Sequence, residues 1–454
     1  MDEQLEFKGE WWLPSRPEER VLGTLKFVPG EGGMLELMGL LNDAEPGVIL
    51  GMSADGKPVT LQDCIETRAR FRRPGLDTSM FYASAVLEGA HFSTPEEIIF
   101  SRVSVLFSNV EEWMYPAGPD VRVNRRGNKM VVECEEPEAI RVSVEQGMKI
   151  SLVPHVGYTV IDGQAAANTE TWFTVEPSQA KSLDEYLGVV GDIRNFLCLA
   201  TTERVRVLAM EGRLAASGGG VRPATIDGKA VKVFLPFVNG RGATRPSLGR
   251  DIIFRLADVA EQIGQLLTRW LESATRLRCV HDLYFAAHDQ PDMYVEHGFF
   301  CFVEALEAYH RRAIRRTDFD NEELRRRREE ILDARPDWEH KDWLSARLEY
   351  GNEPSLRKRL KEIVERFRPL CSQWFGRGCE KRRFLDQVVE TRNYLVHHDE
   401  RLEAQAARGE LLERLALRLK WLVAACLLEQ VGFEPEIIAN LFSRNMRYLH
   451  ETGV

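Results

Sequence analysis

Lys381-Arg-Arg-Phe-Leu-Asp-Gln-Val-Val-Glu-Thr-Arg-Asn-Tyr-Leu-Val-His-His398 is the stretch on which the reading of this chain turns. Wound as a helix, it places Leu385, Val388, Val389 and Val396 on one apolar stripe, with Arg392 in the middle of it. A guanidinium on a core-facing stripe must be paired or face a cavity, because stripping it of water costs several kcal/mol. Asp386, Glu390, Asn393 and His397 follow the flank at i, i+4, i+7 and i+11, so one edge carries acids, an amide and an imidazole in a row. Two readings stay open from these residues alone. Either the row is a reacting site, or Arg392 pairs with Glu362 or Glu365 inside a bundle and His397 closes a helix end favoured by the macrodipole.

Outward from this helix the apolar period stays near 3.6 back to Asp251. Helices are expected over 253–275, 297–315, 321–334, 356–366, 381–396, 405–431 and 435–442, with Pro336, Pro354 and Pro369 between them. Upstream the period falls to two. Segments 22–28, 34–38, 48–52 and 59–64 read as strands, 121–134 as a hairpin around Arg126-Gly-Asn, and Ile140, Val142, Val144, Ile150 and Leu152 continue the alternation. A helix over 182–199 follows, then strands at 205–210 and 231–236 around Ser217-Gly-Gly-Gly220. Those glycines lack the Lys-Ser/Thr of a phosphate loop and read as a hairpin connection. The fold class is therefore α+β. An antiparallel β-sandwich-like domain over 1–245 precedes an all-α bundle over 250–454, the helix at 251–278 being set apart as a connector and 239–246 as the boundary loop.

At 454 residues, 44% apolar and 29% charged, the chain is long enough for more than one core and too apolar to be largely disordered. It has no run of some eighteen apolar residues, and Met1-Asp-Glu is acidic where a signal peptide is basic, so no membrane and a cytoplasmic location are expected. Eight cysteines without a Cys-x-x-Cys pair suit reduced, buried thiols, and no histidine, His91 and His155 included, has metal-ligand spacing. Neither a metal nor another cofactor is expected. A net charge of −10 excludes a protein coated by nucleic acid, yet 311–383 alone sums to about +6 against about −16 elsewhere. Arg325, Arg326, Arg327, Arg328, Arg382 and Arg383 are the candidate RNA contacts; the plainer reading of such runs is a solvated helix face. Trp11, Trp12, Trp113 and Trp172 could stack on sugars, but core packing explains them more simply.

Arg392-Asn393-x-x-x-His397 on a late helix of a bundle resembles the Arg-Asn-x-x-x-His signature of HEPN domains. Arg276-Leu-Arg-Cys-Val-His281 repeats the bare spacing without the asparagine, and is expected to end a helix. Gly9-Glu-Trp-Trp-Leu-Pro14, Gly23-Thr-Leu, Val59-Thr-Leu-Gln-Asp-Cys64, Gly89-Ala-His-Phe92 and the segment 107–113 resemble the first domain of ApeA-type anti-phage proteins. Phe299-Phe-Cys-Phe-Val-Glu-Ala-Leu-Glu-Ala-Tyr-His310 resembles the first helix of their HEPN domain. The resemblance implies a metal-independent endoribonuclease of abortive infection, acting on RNA such as tRNA by 2′-hydroxyl attack to leave a 2′,3′-cyclic phosphate. Arg392, Asn393 and His397 would be catalytic, with His398 and Glu390 as auxiliaries. It also implies at least a homodimer, and a β-rich half that senses a phage-derived protein trigger or restrains the bundle. The competing expectation is a catalytically inert HEPN-like scaffold binding RNA or another ligand, with a carbohydrate- or protein-binding β domain.

Overall fold

The computed structural model describes residues 5–43, 45–72, 74–114, 121–126, 129–134, 138–144, 147–161, 164–214, 230–236, 249–314, 320–334, 338–349, 351–375, 378–398 and 400–454. The glycine-rich 217–220 and the boundary loop 239–246 lie outside them. Contacts divide the chain into two units, Met1–Thr268 and Arg269–Val454, the division falling inside the segment set apart as a connector.

The first unit opens with β1 (Leu5–Trp12), β2 (Val21–Val28), β3 (Gly32–Leu37), β4 (Gly47–Ser53), β5 (Pro58–Arg70) and β6 (Thr78–Ala83). Neighbours pair antiparallel in the order β4-β1-β2-β3-β6-β5, and β5 pairs β4 again, so the sheet closes on itself as a barrel. Alternate residues fill its interior: Leu25 and Phe27, Leu35 and Leu37, Val59 and Leu61, Phe81 and Ala83, around Trp11. Period-two patterning fixes which face of a strand is buried but not whether the sheet edges meet, which is why closure could not be read ahead.

A short continuation, β7 (Ala85–Glu88), keeps the β6 register along β5, since Gln62 faces Ala85 and Ile65 faces Tyr82. At the break Ser84 Oγ donates to Asp63 Oδ2 at 2.5 Å, and Asp63 takes a left-handed φ of 52°. There the strand changes partners: β6 pairs β3 in the barrel, whereas β7 pairs β16 (Ala230–Phe234). Beyond β16 the sheet continues through β15 (Val207–Leu214), β8 (Ile99–Phe107), β13 (Gln164–Glu176), β12 (Met148–Ile161) and β11 (Ile140–Val144), and the two-residue β14 (Lys181–Ser182) also pairs β8. The hairpin expected over 121–134 forms as β9 (Val121–Arg126) and β10 (Lys129–Cys134).

The helix α2 (Leu183–Thr201), after the short α1 (Glu111–Met114), lies against β8. Ser182 and Glu185 form a reciprocal capping box that satisfies its first turn. Trp11, Trp12 and Trp113 are all buried, so the sugar-stacking reading loses three of its four rings to the core. Ile252, Ile253 and Phe254 are buried too. Ile253 N–H donates to Ala200 O and Phe254 packs on Phe196, so the helix expected from 253 is broken into α3 (Leu256–Val259) and α4 (Ile263–Arg276).

The second unit is helical: α5 (Arg278–Asp289), α6 (Val295–Tyr309), α7 (Asn321–Asp333), α8 (Lys341–Glu349), α9 (Leu356–Arg366), α10 (Arg368–Cys371), α11 (Gly378–His397), α12 (Glu400–Glu403), α13 (Glu410–Val431), α14 (Pro435–Ser443) and α15 (Met446–Thr452). From Trp421 to Leu428 every residue of α13 is buried, making it the axis against which α6 packs. Tyr309 at the end of α6 donates to Glu429 at 2.5 Å, and Arg366 of α9 reaches the same carboxylate at 2.6 Å. Helices α5, α8, α10, α12 and α15 had no expected counterpart. α8 buries no residue, so it carries no apolar stripe to read.

Among the described residues no helix is long and apolar enough to cross a membrane, and no cysteine forms a disulfide. Four of them, Cys64, Cys198, Cys371 and Cys426, are buried, and burial pushes the Cys64 thiol up to about 12.

The barrel depends on close approaches at glycines, Gly51 among them. A Cβ on Gly51 of β4 would lie 2.4 Å from the ring of Trp11, which is fully buried. Gly51→Ala should therefore destabilise the protein by about 1–3 kcal/mol, the usual range for overpacking. Urea unfolding followed by circular dichroism checks this, and an unchanged midpoint would show that the Trp11 ring has room to move.

Candidate active site on helix α11

Arg392 is neither free nor entombed: its side chain keeps 24% of its exposure. Leu385 and Val388 of the expected stripe are buried, while Val396 at its far end is 39% exposed. The stripe thus runs out of the core as α11 proceeds, and Arg392 sits at the crossing. Its Nη2 donates to Glu304 Oε1 at 3.3 Å and lies 3.9 Å from Glu307 Oε2, both on α6. Arg392 Nε is buried and makes no hydrogen bond among the described residues. Glu362 and Glu365, the partners expected in the bundle reading, are engaged elsewhere: Glu362 with His310 at 2.9 Å, and Glu365 with Lys381.

Glu304 and Glu307 were not singled out in the sequence. Their signal is an i, i+3 pair of acids on a helix whose other positions are mainly apolar. Glu307 is shared: Arg311 Nη2 lies 3.1 Å and Arg359 Nε 3.9 Å from its Oε1. Arg359, 4% exposed, also donates to Pro354 O and Glu353, and meets His310 Nδ1 at 3.3 Å. A ladder of charges behind Arg392 therefore ties α6 to α9.

His397 is the last residue of α11 and is exposed; Asn393, one turn earlier, is half-buried. Neither makes a side-chain hydrogen bond with a described residue, so both are available to a ligand. The doubled histidine resolves into two environments. His398 takes a left-handed φ of 50°, donates its amide to Tyr394 O at 2.7 Å, and sets its ring edge-on to Tyr394 at 6.0 Å. The chain then folds back along the helix. Ala407 N–H donates to the buried Thr391 Oγ1 at 2.9 Å, and Arg408 caps the Tyr394 ring and hydroxyl. These contacts fix the helix end that carries His397.

Glu390 lines a recess of about 660 Å³ on α11 together with Arg382, Arg383, Asp386, Gln387 and Gln405. On the helix wheel Arg383, Asp386, Glu390, Asn393 and His397 share one face. Asp386 pairs with Arg357, whereas Arg382 and Arg383 are exposed and pair with no described residue. The four arginines of α7 differ. Arg326 and Arg327 both bind Glu323 at 2.6 Å, Arg328 donates to Ser345 at 2.8 Å, and Arg325 is exposed.

The decoy motif separates clearly. Arg276 ends α4 as expected, and His281 lies in the next helix, α5, fully buried against Trp270, with Ser273 Oγ 3.3 Å from its Nε2. Burial and the nearby Arg278 push its pKa down to about 3, so it stays neutral and serves packing. In the barrel, His91 meets Gly51 O at 2.7 Å and packs on Trp12, a structural role.

A helical bundle that ends one long helix in Arg-Asn-x-x-x-His, with the guanidinium half-buried and the imidazole exposed, is of the HEPN class. Residues 301–437 match the family described as Apea-like HEPN, and residues 6–270 match ApeA N-terminal domain 1. The chain belongs to the ApeA family, anti-phage proteins with a HEPN domain of the nuclease type. Comparison with curated proteins and with solved structures gives no match.

His281 also generates a pH dependence. Its folded pKa lies below the ordinary histidine value, so the unfolded chain binds the extra proton and stability falls as pH drops below about 6.5 towards 3. Relative to His281→Phe, the wild-type protein should lose about 1.4 kcal/mol of unfolding free energy between pH 7.5 and 5.5, measured by urea titration. Parallel behaviour of the two proteins would mean that His281 accepts a proton without unfolding the bundle.

Proposed function

We propose that this protein is a metal-independent endoribonuclease of anti-phage defence, with Arg392, Asn393 and His397 as its reacting residues. The observation that carries the reading is that one helix end presents an imidazole and amide unengaged among the described residues, beside a guanidinium whose one hydrogen bond there is to Glu304. In the reaction the 2′-hydroxyl loses its proton to a base and its oxygen attacks the adjacent phosphorus. The bond from phosphorus to the 5′-oxygen breaks, and that oxygen takes a proton from an acid. The products are a 2′,3′-cyclic phosphate and a 5′-hydroxyl. His397 supplies one proton transfer, and Arg392 stabilises the added negative charge on the phosphorane as its contact with Glu304 gives way. Asn393 positions the phosphate or the ring. Glu390 lies one turn further from the helix end, and His398, bound into the turn, shapes it.

His397 supplies one of the two proton-transfer groups and the neighbouring His398 is set against Tyr394, so a homodimer provides the second. Phe300, one turn before Glu304, and Val396, one turn after Arg392, are exposed at 37% and 39% and give α6 and α11 apolar surface for such contact. Arg382, Arg383 and Arg325 hold the RNA backbone, and the β-rich half answers a phage-derived protein trigger. Among the described residues no three metal-ligating side chains converge on the end of α11.

Purified protein should cleave total RNA in EDTA, and Arg392→Ala should lower the rate by about a hundredfold or more. Cleavage that stops in EDTA and returns with Mg²⁺ would overturn the mechanism. Mixing wild-type chains with His397→Ala chains tests the shared site. If each cleft needs both imidazoles, activity should fall faster than the wild-type fraction, whereas a strictly linear mixing curve would assign both proton transfers to one protomer.

A further inference from the structure

Thr67-Arg-Ala-Arg-Phe-Arg72 sits where the β5–β6 hairpin runs past the barrel. β4 leaves β5 at Cys64, while β6 stays paired with it as far as Arg70 and Thr78. Beyond that point the described residues leave one edge of β5 open. Thr67–Arg72 and Pro74–Leu76 are all exposed, Phe71 at 75% and Leu76 at 58%. Strand alternation sets Arg68 and Arg70 on one face about 6.6 Å apart, with Ala69 on the other, and Phe71 and Arg72 follow the end of β5 into the turn.

None of these three guanidiniums makes an ion pair or hydrogen bond with a described residue. Arg72 is anchored only through its amide, which donates to Asp77 Oδ1 at 2.9 Å and fixes the turn. Asp77, whose carboxylate holds the Arg72 amide, is the nearest acid, and in the pairing pattern the next are Glu66, before the bulge, and Glu36, two strands away across Met80. The contrast with α7 is instructive, because there Glu323 binds two of the four arginines. In a chain of net charge −10, three arginines within five residues, unpaired among the described residues and next in sequence to an exposed ring, form a local feature that charge pairing has left open. Arginines at strand spacing suit successive phosphates of an extended polyanion, and an exposed phenyl ring suits the flat face of a base.

We propose that the end of the β5–β6 hairpin is a binding site for single-stranded nucleic acid. Arg68, Arg70 and Arg72 take phosphates along the open edge of β5, and Phe71 stacks on a base. The site belongs to the β-rich unit and does not depend on the reaction assigned to α11.

Fluorescence anisotropy of full-length protein with labelled oligothymidylate tests it, since this DNA has no 2′-hydroxyl and cannot be cut by the proposed route. Arg68→Glu/Arg70→Glu/Arg72→Glu should weaken binding at least about tenfold and lower the slope of log affinity against log salt by about 2, three phosphates at roughly 0.7 each. Phe71→Ala should weaken binding at least about fivefold, the low end for loss of one stacked base. If the triple variant fails to fold, Arg70→Ala with an unchanged melting temperature should still lower the slope by about 0.7. Unchanged affinity and slope in a folded variant would overturn the proposal. So would polyglutamate competing as well as the oligonucleotide while Phe71→Ala has no effect, which would make the hairpin a site for an acidic protein.

Discussion

The contact between Arg392 and Glu304 is the constraint around which the candidate site is arranged. Removing a guanidinium from water costs several kcal/mol, and two opposite charges about 4 Å apart recover about 4 kcal/mol at an effective dielectric constant near 20. With these terms of similar size, the pair holds Arg392 in place without making it a strong structural bridge. Its geometry fits that balance. Only Nη2 reaches Glu304, at 3.3 Å, while Nε is buried with no hydrogen-bond partner among the described residues. A structural pair would use the guanidinium as a two-pronged fork; a one-pronged contact leaves donors for a phosphate.

What keeps Glu304 and Glu307 in position lies further back. Glu307 faces Arg311, Arg359 and Arg392 together, and Arg359 is almost wholly buried among Pro354, Glu353 and His310. Truncating Arg359 would strand neighbouring acids and remove the charge that holds α6 to α9, so its loss should disturb the site through its support. The loop after α11 acts similarly on the other side. Thr391, next in sequence to Arg392, binds the returning chain at Ala407, and Tyr394 receives Arg408. Arg392 and His397 are thus held from two directions by residues that need not meet substrate.

The helix carrying the site was legible in the sequence because its apolar stripe is interrupted by a charge, and interruption is a local signal. Expected bounds of 381–396 compare with Gly378–His397 in the structure. The barrel was legible only as alternating strands, since closure depends on β5 and β6 meeting β4 and β3 far along the chain. The partner of Arg392 was not legible. Glu362, Glu365, Glu304 and Glu307 all have the chemistry to pair with it, and only the packing of α6 on α11 decides between them. His281 shows the converse: a spacing identical to that of the site is emptied of meaning by complete burial.

The same reasoning governs the arginines. Sequence charge counts treat 311–383 as uniformly basic, but a cation neutralised by an acid on its own helix has little left for a phosphate. On α7 the i, i+3 and i, i+4 contacts of Glu323 are what helical spacing provides. Arg382 and Arg383 lack such contacts, although they stand near Asp386 and Glu390, because Asp386 is drawn to Arg357 of α9. An acid engaged by a neighbouring helix leaves two cations on the face shared with Asn393 and His397. The useful positive charge of this protein is set by which acids are already occupied, and the net charge of −10 conceals it.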